Sequence, residues 1–512
     1  GSDLRQIRAP VADAAARVEH LRADAVRARE LVALQVERKD SGRGLVRDDP
    51  LWVGHLRILA AAVRLAPRRM SLEDAIRVLL VVTIVLVALG SNWSTQVRSV
   101  AQPLWRLSLA ALFACAVAYA IRSASGRRLW ERAHTAVFAA GAAFLAVAAV
   151  SSLWSADPRL TFERGASFAL VLGSAAALAL ASAGDPGRVE RLLVALAAGA
   201  ATVALLGLVL LAASPHRALQ EATQTIPTRF RGIGENPNTS AMLFAVALPL
   251  VTWLALTSGG RRRWVWWSAL ALLAGSIVAS GSRGAFATAA VGALVVTVAS
   301  AATTRGRVLA AVAVAAALAA GVGLAAIPSP DPNATAVTNT ACADCKHNPY
   351  NVDQYFRLDD EVGNQDSGGH RTFFASTGRT QAWSGAIRQG KERPLLGYGF
   401  GTEDRVFVDR FPLFFGGSAE NSYVGIFLQL GLAGVLLLGA VVLTLLAACL
   451  RAFRRLRGSE RRAAAACTAA VITGLAIALV QSYLYAVGNT ATLTFWMCAF
   501  LGAALGTQRR AA

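Results

Sequence analysis

Charge is what this chain has least of. Only 16% of its 512 residues are Asp, Glu, Lys or Arg, against about 25% in ordinary soluble proteins. So little charge cannot cover the surfaces of three soluble domains. The chain also lacks a DxD-like carboxylate pair and any convincing cluster of metal ligands. No internal repeat is evident, which argues against a transporter built from duplicated halves. Cysteine is sparse, at six residues; Cys115, Cys449, Cys467 and Cys498 fall in apolar segments and read as small packing side chains. What is abundant is apolar: 55% of residues are hydrophobic and the mean hydropathy is +0.47. Runs of roughly 18–25 apolar residues recur, the length that crosses a bilayer core of about 30 Å. The expected fold class is an all-α polytopic membrane protein. A soluble enzyme, a nucleic-acid module and a disordered scaffold are set aside.

The net charge of +20 and a pI near 11.0 point two ways. A basic chain suits nucleic acid, but here arginine sits in short clusters between apolar runs, where it sets membrane topology. The runs predict about twelve transmembrane helices, at 72–90, 104–121, 133–153, 166–183, 190–213, 238–257, 264–280, 284–302, 307–327, 420–449, 463–486 and 489–507. The loops after every second span, with the C-terminal tail, hold nineteen arginines; the short loops on the other side hold seven. Both termini are therefore expected in the cytoplasm. The chain divides into an extension (1–70), nine spans (71–327), a large external loop (328–418) and three further spans (419–512). Gly1-Ser2 reads as a cloning remnant. Residues 51–66, LWVGHLRILAAAVRLA, read as an amphipathic cytoplasmic helix on the inner leaflet, fit for a membrane anchor or a partner. In the external loop, Cys342 and Cys345 precede His347; a local disulfide is favoured over a metal site, for which His370 is the one other nearby histidine.

Four external segments place polar groups at the mouth of the bundle. In RFRGIGENPNTS (229–240), Arg229 and Arg231 precede glycines, and Asn238, Thr239 and Ser240 can cap the next helix. Guanidinium forks and helix N-terminal amides together suit an anion, and a well-capped loop fits equally. In GSRGA (281–285), Arg283 sits in a connection of a few residues on the arginine-poor side, a functional position by default. In STGRTQAWSGAIRQGKERPLLGYGFG (376–401), Ser376 or Thr377 can cap a helix carrying Arg379, Trp383 and Ile387 on one face, before a glycine-rich turn. Arg379 there can join an anion site or equally pair with a nearby carboxylate. In SAENSYVGIFLQLGLAG (418–434), Glu420 lies at a helix N-terminus, where capping the helix is the favoured role and a general base the chemical alternative.

Together these segments resemble the O-antigen ligase and Wzy-type polymerase superfamily of bacterial membrane glycosyltransferases. The resemblance is carried by RGIGENPN (231–238), SGSRGA (280–285), TGR with a following Trp (377–383), PLLGYGFG (394–401) and ENSYVGIFLQLGLAG (420–434), in that order, across roughly residues 75–505. It implies a GT-C-type enzyme in the bacterial inner membrane, without metal or other cofactor. Its partners would be an undecaprenyl-diphosphate-linked glycan donor, an acceptor glycan and membrane lipids, with no nucleic acid. The glycan passes with inversion to an acceptor sugar hydroxyl on the periplasmic face. By the motif match, Arg283 and Arg379 bind the leaving diphosphate, with support from Arg229, Arg231 and Asn238. Glu420 is the base, and Asn421 and Tyr423 of the same motif contact substrate. Ligases carry a histidine where this chain has Glu420, which leans the reading from a lipid A-core ligase towards a polymerase. A lipid-linked-glycan flippase and a protein O-oligosaccharyltransferase are the alternatives.

Overall fold

The computed structural model describes residues 70–123, 136–221, 228–301, 379–407 and 418–506, with a few single positions between 303 and 312. The amphipathic segment 51–66, the ninth expected span, and Cys342, Cys345, His347, His370, Ser376 and Thr377 lie outside them. From Ser71 onward the described residues form one unit.

Eleven of the twelve expected spans coincide with helices. They are α1 (Leu72–Gly90), α2 (Thr95–Ser123), α3 (Ala136–Val150, extended by a 3-10 turn to Leu153), α4 (Pro158–Ser182), α5 (Pro186–Ala213), α7 (Pro237–Thr257), α8 (Gly260–Ala279), α9 (Arg283–Ser300), α12 (Ser422–Arg455), α13 (Gly458–Ala478) and α14 (Thr490–Leu505). Eight of these are long and apolar enough by themselves to cross a membrane. Between α5 and α7 lie a single turn, α6 (Pro215–Ala218), and a two-stranded antiparallel ribbon, β1 (Leu219–Gln220) with β2 (Arg229–Phe230). After the segment 313–378 come α10 (Arg379–Gly390) and the short α11 (Glu403–Val406).

Several helices start earlier than hydropathy alone suggests, because their polar first turns are nucleated by caps. Asp157 accepts from Leu160 N and Asp185 from Arg188 N, each followed by proline at the first helical position. Proline fits there because its missing N–H would have no partner in any case. Thus α4 begins at Pro158 rather than 166. The expected span 463–486 also needs correction: α13 stops at Ala478, and residues 479–489 run as an irregular connection. Ser422 holds that connection open. Its hydroxyl donates to Gln481 O and accepts from Tyr483 N at 3.0 Å and Leu484 N at 3.3 Å.

Almost every residue of α7 and α14 is buried, so these two helices form the interior against which the others pack. Small residues permit close approach, as usual between membrane helices. A side chain on Gly292 of α9 would strike Pro249 of α7 and Thr473 of α13. An aromatic cluster of Phe144, Phe168, Phe400, Tyr485, Phe495 and Trp496 fills the core beneath the mouth, with ring centroids 5.2–6.3 Å apart. Cys449, Cys467 and Cys498 are buried free thiols, in line with a packing role.

The glycine-rich turn PLLGYGFG serves a structural end that its sequence did not announce. Helix α12 breaks at Gly431, where φ is 59° and ψ is −152°. The break leaves main-chain groups without helical partners, and the turn supplies them. Tyr398 N and Gly399 N donate to Leu428 O and Gln429 O at 3.2 and 2.8 Å, while Leu432 N and Ala433 N donate to Pro394 O and Leu395 O at 2.8 and 3.1 Å. Irregular backbone inside a membrane protein is tolerated where such partners are available. Backbone meets backbone here, so neither chain has room for a Cβ. One on Gly397 would lie 2.5 Å from Gln429 C and O, and one on Gly431 would overlap the Leu395 carbonyl.

Candidate active site

The connections that alternate along the chain gather at one end of the bundle. Asn92, after α1, donates to Ile233 O, and Arg98 pairs with Glu235 at 3.2 Å. Trp154, after α3, donates to Leu396 O at 3.1 Å. Arg164 of α4 makes a bidentate pair with Asp404, at 2.6 and 2.9 Å, and donates to Gly401 O. The 231–238 and 394–401 motifs therefore stand at this mouth of the bundle.

Within it, Arg379 and Glu420 form a direct pair. Arg379 Nε and Nη2 both reach Glu420 Oε2, at 2.7 and 2.6 Å. The two side chains are 16% and 20% exposed, so the pair is sheltered yet open on one side. Glu420 does not cap α12. Asn421 does, its side chain accepting from Tyr423 N and Val424 N at 2.9 and 3.1 Å. Glu420 lies one residue before the cap at φ 48°, the only non-glycine residue in the left-handed region among the described residues. A residue held there costs about 1–3 kcal/mol and persists only where its surroundings over-determine it; such residues cluster at functional sites. Asn421 is buried and its N–H donates to Ser482 Oγ at 3.0 Å. Tyr423 is half-buried, and its hydroxyl donates to Leu475 O at 3.0 Å.

Arg229 and Arg231 are built into the opposite wall. Arg229 is buried; its Nε donates to Ser280 O and its Nη2 to Asn238 Oδ1, both at 2.6 Å. Asn238 therefore does not cap α7; Asn236 does, accepting from Asn238 N. Ser240 donates instead to Arg231 O at 3.0 Å. Arg231 lies 5.0 Å from the Trp93 ring centroid and donates to Arg217 O and His216 O. Burial lowers its pKa, with Glu221 and Glu235 opposing. Arg283 opens α9 directly after the turn that Arg229 holds. A Cβ on the adjacent Gly284 would lie 3.0 Å from Val480, so the 479–489 connection touches the start of α9 as well as that of α12.

One acidic group went unnoticed in the sequence. Glu403 of α11 is buried, and its carboxyl receives four hydrogen bonds. Oε1 accepts from Ala419 N at 2.8 Å and Ser482 Oγ at 3.0 Å; Oε2 accepts from Tyr485 Oη at 2.8 Å and Gln429 Nε2 at 3.1 Å. Burial pushes the Glu403 carboxyl above the usual range, while the bonds from Tyr485, Ala419 and Ser482 pull it partly back. Burial also raises the Tyr485 hydroxyl, reinforced by the nearby Glu403. The sequence signal was faint: a TED triplet just after the glycine-rich turn, on a helix of one turn. Among the described residues, no group of three or more His, Cys, Asp or Glu side chains gathers in a form that could hold a metal ion.

The fold and mouth thus define a multi-pass helical membrane protein with a sheltered arginine–carboxylate pair on strained backbone. Residues 268–439, from within α8 to within α12, match the family described as O-Antigen ligase, which supports the resemblance to the O-antigen ligase and Wzy superfamily. Arg283, Arg379, Glu403 and Glu420 fall inside the match; Arg229, Arg231 and Asn238 precede it. No curated protein matches the chain. The family supports a membrane glycosyltransferase of the general O-antigen ligase or polymerase kind.

Proposed function

We propose that this protein moves a glycan from an undecaprenyl-diphosphate carrier to an acceptor sugar hydroxyl, with inversion, at the external face of the bacterial inner membrane. The observation that carries the reading is the Arg379–Glu420 pair, seated on left-handed backbone just before α12. Glu420 serves as general base. Both Arg379 contacts fall on Oε2, so Oε1 is the oxygen placed to take the acceptor proton. Such a positioned base contributes about 10²–10⁴ in rate. Arg379 and Arg283 bind the diphosphate, offsetting the negative charge that develops as it leaves. Arg229, Arg231 and Asn238 support that side by fixing the turn that leads to Arg283, and Asn421 and Tyr423 frame the acceptor side. The positive-inside pattern favours an outward-facing mouth: Arg188, Arg191, Arg261, Arg262, Arg263 and, around the α12–α13 connection, Arg454, Arg455, Arg457, Arg461 and Arg462 lie at the other end.

Attack of the acceptor oxygen on the anomeric carbon breaks the bond to the diphosphate oxygen. The acceptor proton passes to Glu420, and the electron pair leaves with the diphosphate. A carboxylate base in place of a ligase histidine favours chain polymerisation over transfer to lipid A-core. The test uses the purified full chain in detergent with an undecaprenyl-diphosphate-linked oligosaccharide, EDTA present, beside Glu420→Gln. A product ladder that vanishes in the variant is expected. A single addition to a supplied acceptor would make the protein a ligase, and a donor never consumed with any acceptor would reject glycosyl transfer.

A further inference from the structure

Glu403 has no part in the chemistry just assigned, yet its bonds converge on the residue that does. Its Oε1 accepts from Ala419 N, on the residue immediately before Glu420, and from the Ser482 hydroxyl. Ser482 Oγ in turn accepts from Asn421 N, the peptide immediately after Glu420, at 3.0 Å. One carboxylate oxygen therefore anchors the backbone on both flanks of the one described non-glycine residue with left-handed φ. Neither neighbouring side chain can take over this task, because Asn421 is committed to capping α12 and Ala419 has no polar group.

The other oxygen is held just as firmly. Gln429 Nε2 donates to Oε2, and Gln429 Oε1 accepts from Gly401 N at 2.6 Å, which fixes the direction of the amide. The first turn of α12 is cleared to admit the cluster: a Cβ on Gly425 would lie 2.5 Å from Glu403 Oε2 and would overlap the Tyr485 hydroxyl. Enclosing a carboxyl is unfavourable unless hydrogen bonds satisfy it, and the four bonds to Glu403 do so. Here they hold a strained turn.

We propose that Glu403 is a positioning residue for glycosyl transfer, fixing the main-chain N–H groups of the two residues that flank Glu420 and so the direction in which the base faces the acceptor hydroxyl. This rests on the reading of Glu420 as the base. Displacement of a reacting group by about 1 Å is enough to cost about 10²-fold in rate. Donor binding rests on Arg379 and Arg283, to which Glu403 makes none of the bonds described above, and is left intact.

The experiment measures kcat, donor KM and melting temperature for the full chain and for Glu420→Gln, Glu403→Ala, Glu403→Gln and Ser482→Ala. Glu403→Ala is expected to lower kcat by about 10²-fold with donor KM near wild type. Glu403→Gln keeps one carbonyl oxygen for Ala419 and Ser482 and recovers much of that loss. Ser482→Ala removes one of the four bonds to Glu403 and with it the bridge to Asn421, leaves the Ala419 anchor in place, and lowers kcat by a smaller factor. Wild-type kcat in Glu403→Ala overturns the proposal. So does a loss in which donor affinity and melting temperature fall together and Glu403→Gln is no better. If Glu403→Ala does not fold, Ser482→Ala decides: a kcat loss at constant donor KM supports positioning, and unchanged kcat rejects it. Glu420→Gln separates the two readings. Full turnover there rejects the base itself, whereas an inactive Glu420→Gln beside a fully active Glu403→Ala rejects positioning alone.

Discussion

The two arginine-bearing walls of the mouth look alike in sequence and differ in what their guanidinium groups touch. On the 229–240 side, Arg229 and Arg231 donate to main-chain carbonyls of Ser280, Arg217 and His216. On the α10–α12 side, Arg379 reaches a carboxylate seated on strained backbone. An arginine that satisfies carbonyls fixes the shape of a turn. An arginine that faces a carboxylate sets up a charge pair that a diphosphate and an acceptor hydroxyl can enter. In the function proposed above, Arg229 and Arg231 shape the first wall, while Arg379 and Glu420 of the second take part in the chemistry together with Arg283, which follows the turn that Arg229 holds.

The sharpest way to break that comparison is to remove a side chain from each wall. Glu420→Gln, Arg379→Ala and Arg283→Ala should each reduce turnover by about 10²-fold or more, with Glu420→Gln still binding donor and all three retaining wild-type melting temperatures. Near-wild-type turnover in any one, read by product analysis, would remove that residue from the chemistry. A comparable effect on the fold is expected at the break in α12. Gly431→Ala places a Cβ against the Leu395 carbonyl at a left-handed position, and overpacking of this kind costs about 1–3 kcal/mol before the strained φ is counted. Thermal unfolding in detergent should show a clear drop; an unchanged midpoint would mean that the turn 394–401 is not docked as described.

Arg229→Ala should be felt mainly in stability. It leaves Ser280 O and Asn238 Oδ1 without this donor inside the protein, a loss of about 1–3 kcal/mol per buried group left unsatisfied. Arg231→Lys should do less, since Arg231 is partly exposed. If Arg229→Ala proved fully stable but inactive, the contrast between the walls would collapse.

The smallest expected effect is a pH slope. A carboxyl whose folded-state pKa is raised stabilises the fold fully below its unfolded value, near 4.5, and loses that contribution as pH climbs through the folded value. Glu403→Gln does not titrate. The melting temperature of wild type relative to Glu403→Gln should therefore decline as pH rises above 4.5, and a flat difference would show that the Glu403 carboxyl is not raised.

Much of this was legible in the residues. Apolar runs located eleven of the helices, and the arginine clusters separated one end of the bundle from the other. Arg379 and Glu420 were picked out as site residues, and the structure brings them into contact across 41 positions of chain. Other features were hidden for particular reasons. A hydropathy window could not see that Asp157-Pro158 starts α4, because the first turn is polar. It also ran α13 through Tyr483 and Tyr485, which are apolar in bulk yet belong to an irregular segment. Asn421 and Glu420 are both good helix-terminal residues, and nothing local decides which of them caps.

The sequence by itself determined the class of protein, its helices and the resemblance motifs along them, because burial in a bilayer demands long apolar helices whatever their neighbours are. Tertiary structure alone decided which polar groups meet. Glu403 finds Ser482 and Tyr485 at separations of 79 and 82 residues, and the turn 394–401 mends a helix that begins at Ser422. Those partners are set by how the helices pack. A buried polar group must be satisfied by whichever donor the packing brings within about 3 Å.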